Sequence, residues 1–165
     1  MSASRKLLLA GGLALAIWSM SYGLWYAVFA EHQDLDTMGG SVTAAFVHAA
    51  ERKIPDAQAS LDAYAETRFR YVRSVDVHSH WGGLALLLIV FGVIFDRVGF
   101  KERKRLWLAA MLVVSAIIFP LGVALEVANR GAIPKTIAVL GVALVTVALA
   151  AISVGFARGE RLGRP

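Results

Sequence analysis

Four runs of apolar residues, each near the length a bilayer core demands, divide this chain, and only one interval between them is long enough to hold structure of its own. A hydrocarbon core of about 30 Å takes roughly 20 helical residues. Runs that meet this requirement lie at 7–30, 77–95, 106–128 and 136–157. The second needs a count, because its uninterrupted apolar part covers only 81–95. Stepping back about 20 residues from Asp96, whose carboxylate belongs at a water interface, starts the span at Val77 and draws His78 and His80 inside the membrane boundary.

The interval 31–76 is polar but helical in pattern. Ser41 is expected to cap a short helix over 42–52 that lies along the membrane surface, with Val42, Ala45, Phe46 and Ala49 as its apolar stripe and an end before Pro55. A second helix is expected from Asp56, with Asp56, Asp62 and Glu66 early and Arg68, Arg70 and Arg73 late, as the helix dipole favours. Leu61, Ala65, Phe69 and Val72 are its expected buried seam. Nothing between Arg73 and His78 breaks a helix, so this arm and the second span form one long rod or bend near Asp76. Pro120 is expected to kink the third span, which Asn129, Arg130 and Gly131 close. The expected fold class is all-α: a single membrane domain, a four-helix bundle with an extramembrane helical arm between the first two spans.

Composition agrees with this class. Hydrophobic residues make up 58% of the chain and the mean hydropathy is +0.62, beyond a soluble domain. The first run follows Arg5 and Lys6, and Val28-Phe29-Ala30 imitates a cleavage site. Its length exceeds the roughly 7–15 residues of a secretory signal core, so it is expected to be a retained helix. Ten basic residues and three acidic ones fall on the side of the termini, against seven and nine on the other. That bias predicts cytoplasmic termini and a periplasmic 31–76 segment in a bacterial inner membrane. The net charge of +5 is then a topology signal and points away from nucleic acid. Cysteine is absent, which excludes disulfides, thiolate metal sites, iron–sulfur clusters and covalent haem attachment. No phosphate-binding glycine loop, HExxH or GxSxG occurs, so no catalytic residue is expected.

Candidate chemistry gathers on one side of the bundle. His32, His48, His78 and His80 all fall before the second span is well under way, and Asp76 and Glu126 are expected at the same edge. Positions two apart on a helix differ by about 200°, so His78 and His80 point to nearly opposite faces. His80 is the expected inward member, since Gly82 and Gly83 follow it and leave room for something broad and flat. Haem b suits that room, with His48 or His32 as the second imidazole and Arg68, Arg70 and Arg73, aided by Arg52 and Lys53, as donors to its propionates. The same arginines equally suit phospholipid headgroups, and each histidine equally suits an interfacial hydrogen bond. Glu126 reads as a proton-relay or supporting carboxylate, or as a helix-end charge neutralised by Arg130.

His78-Ser79-His80-Trp81 followed by Gly82-Gly83 and a Leu-rich span resembles the H-x-H helix of haem-copper oxidase core subunits and their small relatives. The resemblance covers about one span. It implies haem ligation by His78 and His80 on opposite faces. No histidine occurs in the first, third or fourth span, so oxygen reduction is not implied. The expected function is a small haem-carrying redox subunit that passes electrons between a quinone and a periplasmic acceptor within a larger respiratory complex. Two alternatives stand beside it: a cofactor-free accessory or anchoring subunit, and an outward-facing zinc or copper site drawn from His48, His78, His80 and Glu126.

Overall fold

A computed structural model describes residues 1–162, and helix accounts for 92% of the structure. Five helices follow in order: α1 Ala3–Phe29, α2 Glu31–Ala50, α3 Ile54–Ile94, α4 Glu102–Ala128 and α5 Ala132–Leu162, with one 3-10 turn, Phe95–Arg97, after α3. Helices α1, α4 and α5, and the second half of α3, are long and apolar enough to cross a membrane. The protein is an all-α, four-span membrane bundle.

Two rods dominate it. Helices α1 and α2 are parted by a single residue, Ala30, with non-helical dihedrals (φ −120°, ψ −40°), where α1 ends with Ala30 N–H donating to the Tyr26 carbonyl at 2.9 Å and α2 begins with Asp34 N–H donating to the Ala30 carbonyl at 3.1 Å. Helix α3 starts with Pro55 in its first turn, where a missing N–H costs nothing, and runs 41 residues without interruption. At 1.5 Å per residue it is about 60 Å long, roughly twice a bilayer core. The two rods run antiparallel along their whole length. Arg5 meets Asp96 at one end, Ser19 meets His78 in the middle, and His48 lies beside Asp56 and Ser60 at the far tip.

The seam between the rods keeps a three-four spacing on α3: Ala57, Ser60, Tyr64, Thr67, Tyr71 and Ser74 outside the span, then His78, Trp81, Ala85, Leu88 and Gly92 within it. This is the periodicity of coiled-coil packing, with small and polar residues in the arm and apolar ones in the bilayer. Helix α2 answers with Asp34, Met38, Ser41, Ala45 and His48.

Several sequence expectations for the arm are corrected by this register. Ser41 caps nothing, because α2 runs through it and through Gly39-Gly40 as one helix. Phe46 is 73% exposed, and Ala49 is exposed with it. Leu61, Ala65 and Val72 of α3 also lie on the exposed side, and Phe69 is half-buried. Of the stripe expected on α2, Ala45 is buried and Val42 half-buried, so apolarity finds the packed face there only in part and picks the outer face of α3. Helix α2 stands against α3 and does not lie flat. No bend interrupts α3 at Asp76, and α4 runs through a buried Pro120 without ending.

Helix α4 packs on both α1 and α3, whereas α5 rests on α4 and the 3-10 turn. The α4–α5 contact is close because Gly122 faces the Ala138 backbone and Gly141 faces the Phe119 backbone. Leu8, Leu88, Leu112, Phe95 and Ile152 are the largest fully buried apolar side chains. A polar clasp closes the basic end. Asp96 accepts from Ser2 Oγ at 2.7 Å and Arg5 at 2.8 Å, while Glu102 accepts from the Ser4 amide at 2.9 Å and Arg105 at 2.8 Å.

Candidate functional site

His78 and His80 leave α3 toward different neighbours, as the 200° separation requires. His78 faces α1, where its Nδ1 lies 2.9 Å from the Ser19 carbonyl and Ser19 Oγ donates to the His78 carbonyl at 3.0 Å. With Nδ1–H donating to that carbonyl, the lone pair sits on Nε2. The ring fits only because residue 23 is glycine: a Cβ there would stand 2.5 Å from the imidazole. His80 faces α4 and packs on Phe119 with ring centroids 4.7 Å apart. Gly82 lies under Ser19 Oγ, on the His78 side, and Gly83 has open space beside it. The two glycines therefore do not frame one slot over His80.

The other histidines are elsewhere. His48 lies at the arm tip in a groove with Thr37, Ser41, Asp56 and Ser60, and its Nδ1 is buried without a partner. Ser60 and His78 are separated by about 27 Å of helix, so His48 is not brought to either membrane histidine. His32 is exposed on α2.

Carboxylates and guanidinium groups find one another at the base of the arm. Arg73 Nε stands 3.2 Å from Glu126, and Arg73 Nη1 stands 3.4 Å from Asp76. The Glu126 side chain is only 9% exposed, so this guanidinium is its counter-charge in a place where an unpaired carboxylate is costly. The expectation that Arg130 neutralises Glu126 is corrected: Arg130 reaches Glu66 on α3 at 2.6 Å and lies 3.9 Å from the centre of the Phe69 ring. Arg70 stands 3.6 Å from Asp34, and Arg68 lies exposed beside Phe69. These contacts lock the α4–α5 connection and the foot of α2 onto α3. None of Ser19, Gly23, Phe119 or Asp34 stood out in the sequence as a partner. The one available signal was a small residue four positions from a hydroxyl in α1, which fits any close helix contact.

Chemically, the arrangement is a set of separate clamps. Among the described residues, no three His, Asp or Glu side chains gather as a ligand set. The residues present do not make a complete haem pocket within this chain. Of the two second imidazoles expected from the sequence, His48 lies at the arm tip and His32 is exposed on α2, and Arg70 and Arg73 are already engaged by Asp34 and Glu126. No family model, no curated protein and no solved structure matches the chain.

Proposed function

We propose that this protein is an accessory subunit of a larger membrane complex, and that its working part is the arm formed by α2 and the first half of α3. The supporting observation is the unbroken passage of α3 from its span into the arm, with α2 packed along it from one residue past α1. A hairpin built this way holds whatever binds it at a fixed height and angle above the bilayer. It carries exposed apolar side chains beyond the span boundary, among them Phe46, Val47, Ile54 and Leu61, where lipid does not cover them. With the basic end retained in the cytoplasm by its arginines and lysines, the arm stands in the periplasm of a bacterial inner membrane.

A photoreactive residue at position 46, used in native membranes, tests the reading. The expected product is a discrete adduct with another membrane or periplasmic polypeptide, and a native mass above one copy after mild extraction. Only self or lipid adducts, together with the mass of a lone chain, would remove the reading.

A haem-carrying redox subunit is the second reading, supported by His80 beside Phe119 with open space at Gly83. The partner subunit or a second copy would then supply the other axial imidazole. Purified complex with a Soret band that His80→Ala bleaches would support it, and absence of iron from an intact complex would end it.

A further inference from the structure

The basic end holds a groove unrelated to the histidines. Helix α4 contributes Lys104, Trp107 and Leu108, and helix α5 contributes Ala151, Val154 and Arg158, around a space of about 470 Å³ that Phe100 also lines. Its walls are apolar along the spans and cationic at the water end. These residues recur at three- and four-residue steps on both helices, so each helix offers one continuous face. Gly155 lets the segment after α3 close on α5, since a Cβ there would strike the Val98 side chain and then the Phe100 ring at 2.8 Å. The Arg158 guanidinium is fixed over the mouth by Phe100, 5.6 Å from the ring centroid. Among the described side chains, neither Lys104 nor Arg158 enters an ion pair. Both acidic residues placed at this end, Asp96 and Glu102, are taken by Arg5 and Arg105. Trp107 is 71% exposed beside the mouth, at the depth where indoles favour the membrane interface.

From this arrangement we infer that the groove is a seat for an anionic diacyl phospholipid. Its phosphate diester lies between Lys104 and Arg158, and one acyl chain follows Leu108, Ala151 and Val154 into the bilayer. Two cations above an apolar channel select headgroup charge and chain together, whereas a zwitterionic headgroup would bring its own cation against Arg158. Lys104 and Arg158 thus have a specific occupant in addition to their general role in orientation.

Native mass spectrometry of the purified full chain, supplied with dioleoyl phosphatidylglycerol or dioleoyl phosphatidylcholine, tests the inference. The wild-type chain should retain the anionic lipid preferentially. Each of Lys104→Gln and Arg158→Gln should weaken that preference roughly fivefold, and Arg103→Gln, outside the groove, should leave it unchanged. Ala151→Phe fills the channel while keeping both cations, and should also reduce retention. Equal retention of the two lipids by wild type, or full preference in the double variant, would overturn the inference. Undiminished retention by Ala151→Phe would show diffuse surface attraction and overturn the seat equally, provided helical circular dichroism shows that variant folded.

Discussion

Gly23 and His78 show how little latitude a single position has in this bundle. The imidazole occupies the space a side chain at residue 23 would take, and its Nδ1 is held by the Ser19 carbonyl. Gly23→Ala is therefore expected to displace the ring and destabilise the protein by about 1–3 kcal/mol, the usual cost of overpacking, as read from thermal unfolding in detergent. An unchanged midpoint would mean that the ring has another place to go. Arg73 and Glu126 make a second residue-scale case. Because Arg73 is about one-third exposed, the pair is discounted from a fully buried one, and Arg73→Gln is expected to cost about 1–3 kcal/mol. Glu126→Gln in the same background should recover part of that loss, since it removes the unpaired carboxylate. A double-mutant cycle with no coupling would contradict the pairing. The separation of His78 from His80 was legible in the sequence, because helical geometry alone sets it. Their partners were not, since Ser19, Gly23 and Phe119 are ordinary residues for a membrane helix.

At the scale of elements, the spans were easy to place and the arm was hard, for a physical reason. In the bilayer, length and apolarity coincide with structure, and helices α1, α3, α4 and α5 contain the four expected runs to within one residue. In the arm, the packed seam is made of Ser41, Ala45, His48, Ala57, Ser60 and Thr67, while Phe46, Leu61 and Val72 face outward. A reading that buries the most apolar stripe must choose the wrong side there. Gly39 and Gly40 sit inside α2 with nothing within 4 Å of where a Cβ would stand. Gly39→Ala and Gly40→Ala should each stabilise α2 by about 0.5–1 kcal/mol, because alanine forfeits less backbone freedom in a helix and meets no obstacle. Proteolysis rates of the arm report this directly. Faster cleavage of the alanine variants would show that α2 is not helical through residues 39 and 40.

For the whole molecule, the antiparallel rods join a polar clasp at the basic end to a tip beyond the bilayer, with α4 and α5 buttressing only the membrane half. The fixed height of the docking arm comes from α3, since a hinge at Asp76 would let the tip wander and leave a partner no set position above the bilayer. Spin labels at Leu61 and Val93, both exposed on α3, measure it in reconstituted bilayers. An unbroken helix predicts a single narrow distance near 48 Å from the rise of 1.5 Å per residue. A broad distribution, or one centred below about 40 Å, would mean that α3 bends where it leaves the membrane, and would contradict the rigid arm.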